Sequence, residues 1–163
     1  MLGSEGRVRT AISLDIGSVR LRERFLHSDP PTAAEVAAAT AHVDGLLDDS
    51  GVDFAAVATC VGVGGTVTSL SALAQELPTY DRALVHGSEV TRDELEALGL
   101  QLLAMPVAEV TELPTMVPGR ADVICGGALI ARRVASRLAP QLLVSEADIL
   151  DGLVLGLVET AQL

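Results

Sequence analysis

The sequence predicts an α/β fold in which short strands alternate with amphipathic helices. Apolar residues recur at helical spacing in several stretches, and short apolar runs lie between those stretches. Residues 55–63 form the clearest run, since they are small and apolar without alternation and end in glycines. This pattern is typical of a strand buried on both faces of a parallel sheet.

The first elements are predicted from alternation and from a capping motif. Residues 8–14 place their apolar side chains at every second position, which predicts a strand. A loop at residues 29–32 follows, and Thr32 with Glu35 forms a capping box that predicts the start of a helix. The buried stripe expected for this helix is Val36, Ala39, Val43, Leu46 and Leu47.

The middle of the chain predicts a strand, a glycine turn and a helix in immediate succession. Gly64 and Gly65 follow the apolar run, and an apolar stripe at helical spacing covers residues 67–77. A second capping box, Thr91 with Glu94, predicts another helix start.

The last third is predicted to contain a connection, a long helix, a strand and a final helix. Prolines at 106, 114 and 118 interrupt the connection, and the longest helical stripe covers residues 123–138. A short strand at 142–144 precedes a final helix with its stripe at 149–157, for which Ser145, Asp148 and Asp151 supply an N-cap and first-turn acids.

The composition excludes several classes of function. The 163 residues carry 11 Lys+Arg against 22 Asp+Glu, a net charge of −11, and the sequence holds no lysine. Mechanisms that need a phosphate-loop lysine or a Schiff base are therefore excluded. The acidic charge and the 2% aromatic content also argue against nucleic-acid binding.

Targeting features and cysteines indicate a cytoplasmic protein without a membrane span. The N-terminus lacks a signal-peptide core, and no run reaches the ~18 apolar residues that a span requires. Cys60 and Cys125 lie singly in apolar runs, so we expect small buried hydrophobes and neither a disulfide framework nor a zinc site. The three histidines are widely separated and are expected to be structural.

The glycine turn is the first candidate binding site. Gly64 and Gly65 let backbone N–H groups approach a ligand closely, and Thr66 and Thr68 add hydroxyl donors at a helix N-terminus. This arrangement suits a phosphate or a nucleotide. The alternative, that the glycines only permit a tight turn, remains open on sequence alone.

Arg120 is the second candidate. It lies just before the longest helical stripe, where a cation is unfavourable for the helix dipole. It could bind a phosphate bidentately, or it could pair with Asp122 and orient the loop.

The sequence offers no candidate for a catalytic residue. Residues 15–18 look like a phosphate-binding turn of actin-like ATPases, and the alternative is an ordinary turn after a strand.

Taken in order, six stretches resemble the Ppx/GppA family of exopolyphosphatases and guanosine pentaphosphate phosphohydrolases, and actinobacterial members most of all. They are residues 17–26, 28–32, 61–70, 85–87, 116–124 and 144–146 together with 151–153. The resemblance implies a ribonuclease H-like lobe, the fold of the actin-like ATPases that include acetate kinase and actin, with a mixed sheet flanked by helices. Residues 1–163 would be a single domain that resembles most of the C-terminal lobe of a two-lobed enzyme.

The resemblance also implies what lies outside these residues. The family's Asp-Ile-Gly-Gly-Gly-Ser-Thr-Glu phosphate loop would precede Leu2, and the catalytic glutamate belongs to the first lobe. We therefore expect a lobe that lacks its first strand, with an open sheet position that invites pairing between copies as a homodimer. Asp15 is interpreted as a local variation and not as a catalytic acid. The family often has an arginine shortly before the segment of Arg120, whereas residues 108–112 contain none.

The implied activity is hydrolysis of a terminal phosphoanhydride in polyphosphate or pppGpp, with Mg²⁺ offsetting phosphate charge and held by residues outside this chain. Gly64, Gly65, Thr66, Thr68 and Arg120 would contact phosphate, and the missing first lobe would supply the chemistry. The isolated chain is therefore expected to be inactive. The alternative is a non-catalytic phosphate-binding, nucleotide-binding or assembly module.

Overall fold

The structure is a computed structural model that describes residues 1–138 and 141–161, and it confirms the predicted α/β class. The strands are β1 (Leu2–Ser4), β2 (Arg7–Thr10), β3 (Cys60–Val63), β4 (Glu89–Thr91) and β5 (Gln141–Ser145). The helices are α1 (Ser18–Phe25), α2 (Ala33–Asp48), α3 (Gly65–Ala74), α4 (Arg82–Val85), α5 (Arg92–Ala104), α6 (Val107–Thr111), α7 (Ile124–Ala135) and α8 (Ile149–Ala161).

A mixed three-stranded sheet with the order β3-β5-β4 lies at the centre of the fold. β5 is parallel to β3 and antiparallel to β4, while β1 and β2 form a separate antiparallel hairpin. Val63 lies opposite Ser145 in the parallel pair, so the carboxyl ends of β3 and β5 are side by side. The turns that follow these two strands therefore meet at one edge of the sheet.

Helix α7 separates two clusters of buried side chains. Ile124 and Ala128 belong to the cluster formed with α3, α5 and the sheet. Cys125 and Leu129, each one residue further along and so about 100° around the helix, belong to the cluster formed with α1 and α2. Because α7 is covered from two sides, its first residues, Ile124 and Cys125, are already buried.

Both predicted capping boxes are confirmed. The Thr32 hydroxyl accepts from the Glu35 N–H, and the Glu35 carboxylate accepts in return from the Thr32 N–H at 2.7 Å. Thr91 and Glu94 repeat the arrangement at the start of α5. A third cap begins α8, where Asp148 accepts from the Leu150 N–H at 2.7 Å.

The predicted strand at residues 8–14 is shorter than expected. Only Arg7–Thr10 is extended and paired, in the hairpin with β1. Val8 is 64% exposed and Ile12 is 44% exposed, so the alternating residues do not face a core. The hairpin pairs with itself alone among the described residues, and neither of its faces is fully covered.

The prediction that residues 55–63 form a strand buried on both faces is wrong. Phe54–Ala56 form a 3₁₀ turn, and only Cys60–Val63 are a strand, in which burial alternates. Val61 and Val63 are 52% and 55% exposed. The reason is that β3 is an edge strand whose only partner among the described residues is β5.

Helix α8 forms where its stripe predicted a helix, but its apolar side chains are uncovered. Ile149, Leu153, Val154 and Leu157 are each at least 59% exposed. In the described residues, no helix is both long and apolar enough to cross a membrane.

Glu35 links the stability of the fold to pH. Hydrogen bonds from the backbone N–H of Thr32, and further ones from Ser28, hold the pKa of Glu35 at about 2, below its ordinary 4.5. The ionised carboxylate therefore stabilises the folded state above pH 4.5, and this contribution is lost as the pH falls from 4.5 towards 2.

We predict that Glu35→Gln lowers the melting temperature at pH 6 and that the difference from the unmodified protein shrinks as the pH falls to 2. Thermal unfolding followed by circular dichroism between pH 2 and pH 6 measures this. Glu23→Gln, at an exposed position of α1, is the matched control. A constant difference between Glu35→Gln and the unmodified protein across this range would contradict the prediction.

Candidate functional site

The candidate site lies where the carboxyl ends of β3 and β5 meet. Gly64 follows β3 directly and is the N-cap of α3, with φ of +88°. Side chains other than glycine rarely adopt this backbone conformation, so the turn requires glycine here. Its conformation directs the first turn of α3 towards the end of β5.

A pocket of about 280 Å³ occupies this position. Its lining residues come from the two strand ends, from the start of α3 and from the segments before α4 and α7. They are Gly64, Gly65, Thr68, Tyr80, Val117, Arg120, Ser145, Glu146 and Asp148. The structure thus brings together Gly64, Gly65, Thr68 and Arg120, four of the five residues that the sequence singled out.

Thr66 is the exception, because its side chain packs against α7. Its Oγ1 lies 2.6 Å from the position that a β-carbon on Gly127 would take. The hydroxyl therefore lies on the far side of α3 from the pocket. Only the backbone N–H of Thr66 belongs to the helix N-terminus that the pocket faces.

Arg120 lies against Gly65. Its Nη1 donates to the Gly65 carbonyl at 3.2 Å, and a β-carbon on Gly65 would stand only 2.2 Å from this nitrogen. Glycine at position 65 is thus required for the guanidinium to take this place. The alternative expectation, an ion pair with Asp122, does not occur among the described residues.

Thr68 donates to the same Gly65 carbonyl as Arg120. The residue is almost fully buried, and its hydroxyl donates to the Gly65 carbonyl at 3.4 Å. The first helical hydrogen bond of α3 runs from the Thr68 N–H to the Gly64 carbonyl at 3.2 Å. The N–H groups of the three preceding residues therefore have no acceptor within the helix and point towards the pocket end of α3.

The sequence did not indicate Tyr80 or Glu146 as residues of this site. The Tyr80 hydroxyl donates to the Glu146 carboxylate, and the Arg82 Nε lies 3.5 Å from the same carboxylate. The Glu146 N–H donates to His86 Nδ1 at 3.1 Å. Burial, followed by the hydrogen bond to Glu146, raises the pKa of Tyr80. Tyr80 therefore stays neutral and acts as a donor at neutral pH.

The pocket contains charges of both signs. Arg120 is the cation in its lining, whereas Glu146 and Asp148 are carboxylates from the end of β5 and the loop before α8. An anion in the pocket would thus be attracted by Arg120 and the α3 N-terminus and repelled by two acidic side chains. A single phosphoryl group next to Arg120 fits this distribution of charge.

Asp15 lies apart from this site and contacts two arginines of α1. It pairs with Arg20 and, at 3.4 Å, with Arg24. These pairs agree with its interpretation as a local variation.

Burial raises the pKa of both the Cys60 and the Cys125 thiols, which makes thiolate chemistry unfavourable.

No metal site forms among the side chains of the described residues. In that part of the chain, no three His, Cys, Asp or Glu side chains lie close enough to hold an ion. The described donor set does not by itself fit Mg²⁺.

A larger cavity of about 440 Å³ lies between α3 and α5. Its lining is mostly apolar and includes Leu73, Leu98 and Leu102, and the charged side chains at its margin are Glu76 and Glu94. An apolar cavity with acidic side chains at its margin offers no attraction for a phosphate. The smaller pocket beside Arg120 remains the candidate site.

Comparisons with known proteins agree with this assignment of the fold. The model of the Ppx/GppA phosphatase family matches residues 1–161. Exopolyphosphatase 2 of Mycobacterium tuberculosis is 44% identical over 160 residues, which cover 94% of this chain and 50% of that protein. A bifunctional 3-dehydroquinate synthase/phosphatase of Fusobacterium nucleatum is 28% identical over 166 residues, 97% of this chain and 24% of that protein.

A solved structure gives the same result. The Ppx/GppA family member of Aquifex aeolicus superposes with a TM-score of 0.90 at 30% identity, over 98% of this chain and 52% of that one. The chain thus spans about half the length of the exopolyphosphatase and of the solved homologue. From the match over residues 1–161 and these two likenesses, the chain belongs to the Ppx/GppA phosphatase family.

Proposed function

We propose that the pocket beside Arg120 binds the terminal phosphate of polyphosphate or pppGpp, as the second-lobe part of an enzyme that hydrolyses the terminal phosphoanhydride. The observation that carries the proposal is the guanidinium of Arg120 held against Gly65, next to the free N–H groups that begin α3. A charged donor and oriented backbone N–H groups together are a recurrent way to bind phosphoryl oxygens.

The related proteins support the choice of substrate class. One is named an exopolyphosphatase and another carries a phosphatase activity in its name. Polyphosphate and pppGpp both end in a phosphoanhydride, so the pocket would meet the same group in either. Binding by Arg120 and the α3 N-terminus would hold that group in place and stabilise the charge on its oxygens during hydrolysis.

The rest of the catalytic machinery is proposed to lie in another lobe. The relatives are about twice as long as this chain, and α8 presents an uncovered apolar surface. A chain with a net charge of −11 attracts a polyanion poorly, so the positive field would also come from that lobe. The carboxylate base and the ligands of Mg²⁺ are assigned there as well.

A second candidate function is a phosphate-binding module without catalysis. The pocket is compatible with it, because Arg120 and the N-terminus of α3 offer donors that a phosphate-binding module needs as much as an enzyme does. The two functions differ in one measurable respect. Only the phosphatase lobe gains hydrolytic activity when the other lobe is supplied.

We predict that Arg120→Ala weakens binding of pyrophosphate by at least about tenfold. A hydrogen bond to a charged group contributes about 1.5–3 kcal/mol, and about 1.4 kcal/mol corresponds to tenfold in affinity. Isothermal titration calorimetry at 0.1 M salt measures the dissociation constant. Arg7→Ala, on the hairpin and distant in the fold, is the control for the loss of one positive charge.

Gly65→Ala tests the same contact without a change of charge. Its β-carbon would overlap the Arg120 guanidinium, so we expect a comparable loss of affinity. Gly45→Ala is the matched control, since its β-carbon meets nothing within 4 Å. Unchanged pyrophosphate affinity in both Arg120→Ala and Gly65→Ala would refute the assignment of the pocket.

We predict that Glu146→Gln strengthens pyrophosphate binding by about fivefold, or about 1 kcal/mol, because one negative charge leaves the pocket. The amide still accepts from Tyr80, so the pocket keeps its shape. The same titration measures the effect, and Glu89→Gln, an exposed carboxylate on β4, is the control. A loss of affinity would mean that Glu146 positions the donors and does not repel the ligand.

We predict that residues 1–163 alone release no phosphate from polyphosphate or pppGpp above the buffer rate. A colorimetric phosphate assay with magnesium chloride measures this, with a two-lobed exopolyphosphatase as the positive control. Addition of a separately expressed first lobe is expected to produce activity. Release by the chain alone at a rate similar to the control would disprove the division of labour between the lobes.

A further inference from the structure

The Tyr80 hydroxyl lies in the pocket beside Arg120 and has no role in the phosphate site as described so far. Tyr80 is the one tyrosine of the sequence, and it lines this pocket. The residue is 40% exposed, and its hydroxyl donates to the Glu146 carboxylate. Since a phenol has a single proton to donate, the acceptor of that proton determines whether Tyr80 can serve a ligand.

The segment that carries Tyr80 is held at the carboxyl end of β5. Tyr80 lies two residues before α4, and both ends of this helix contact residue 146. At the start of α4, Arg82 Nη2 donates to the Glu146 carbonyl at 3.2 Å. Directly after its end, His86 Nδ1 accepts from the Glu146 N–H at 3.1 Å. Tyr80 therefore enters the pocket from a fixed position.

The phenol oxygen lies among the groups that form the phosphate site. Burial, followed by the hydrogen bond to Glu146, raises the pKa of Tyr80. The Thr68 hydroxyl, by a hydrogen bond, and the Arg120 guanidinium, by its charge, act on this pKa in the opposite direction. Thr68 and Arg120 thus both lie close enough to affect the phenol oxygen. A phosphoryl group held by Arg120 would come close to the same oxygen.

We propose that Tyr80 is a further ligand-contacting residue of this site, and that its hydroxyl exchanges the Glu146 carboxylate for an oxygen of the bound phosphoryl group. The inference rests on the proposed phosphate site and adds a donor to it. A phosphoryl oxygen and a phenol oxygen repel each other unless the phenolic proton lies between them. The O–H bond stays intact in this exchange, and only its acceptor changes.

Glu146 keeps a partner after the exchange. Arg82 Nε lies 3.5 Å from Glu146 Oε2, whereas Tyr80 donates to Oε1. The Glu146 side chain is also 17% exposed, so water can reach the oxygen that Tyr80 releases. A terminal phosphoryl group carries more negative charge than a carboxylate that Arg82 already partly neutralises. The phosphoryl oxygen is therefore the stronger acceptor for the hydroxyl.

The first test removes the phenolic hydroxyl and keeps the ring. Tyr80→Phe is expected to weaken pyrophosphate binding by about fivefold, because a hydrogen bond to a charged ligand is lost. Isothermal titration calorimetry measures the dissociation constant. Ser136→Ala, which removes an exposed hydroxyl outside the pocket, is the matched control.

A double substitution tests the exchange itself. In the unmodified protein, part of the gain expected for Glu146→Gln comes from the release of the Tyr80 hydroxyl from a charged acceptor. Combined with Tyr80→Phe, Glu146→Gln is therefore expected to strengthen pyrophosphate binding by about twofold and not by about fivefold. A Tyr80 that only supports the fold would leave the gain from Glu146→Gln unchanged.

The single tyrosine allows a second measurement that needs no substitution. Expression with 3-fluorotyrosine places fluorine next to the hydroxyl of residue 80 alone, so ¹⁹F NMR shows one signal from this pocket. We expect the signal to shift as pyrophosphate is added, with the dissociation constant that calorimetry gives. Arg120→Ala should need about tenfold more pyrophosphate for the same shift. Sodium chloride at equal ionic strength is the control for a general effect of ions.

Three results would overturn the proposal. They are unchanged pyrophosphate affinity in Tyr80→Phe, a ¹⁹F signal that stays in place while calorimetry shows binding, and an equal gain from Glu146→Gln with and without Tyr80→Phe. If Arg120→Ala still weakens binding in these cases, the phosphate site stands without Tyr80. If the unmodified chain binds no pyrophosphate, the phosphate site itself is refuted and the exchange with it.

Discussion

The pairing of β5 with β3 and β4 determines where the rest of the structure lies. β5 is parallel to β3, and it is held from the other side by β4 and by two 2.8 Å hydrogen bonds that join Val144 to Gly87 and Ser88. The parallel pair brings the glycine turn after β3 beside Glu146 and Asp148 after β5. Ligand sites at the carboxyl ends of parallel strands follow from this geometry, because the turns that leave the strands meet there.

The second constraint is the fixed position of Arg120. Its backbone carbonyl accepts from the Ile124 N–H at 2.9 Å and so begins the turn into α7, which is buried on two faces. A cation at the start of a helix is unfavourable for the helix dipole. In compensation, the Gly65 carbonyl accepts a hydrogen bond from the Arg120 guanidinium. The helix therefore holds the arginine in place, and the glycine provides the space next to α3. A bound phosphate would add favourable charge at the same point.

The sequence predicted best the features that depend on neighbouring residues. Both capping boxes, the glycine turn and the stripe of α2 follow from local side-chain chemistry, and the structure contains them. The stripes predicted at residues 67–77 and 123–138 extend beyond α3 and α7, and α7 buries residues outside its predicted stripe, such as Leu129. The lengths of β2 and β3 could not be predicted, since they depend on which strands pair with them. Arg120 was identified because a cation before a helix needs an explanation. Tyr80 and Glu146, which are 66 residues apart, gave no such sign, because their contact exists only in the folded chain.

The balance of charge in the pocket bears on how much of a polyanion this chain can hold. Arg120 faces two carboxylates, in a protein of net charge −11, so the attraction for phosphate is confined to a small region. In the proposed function, Arg120 and the α3 N–H groups would therefore hold one phosphoryl group, with Glu146 and Asp148 at the margin of its site. The attraction for the rest of a phosphate chain would have to come from the other lobe, because the charge of this chain is net negative.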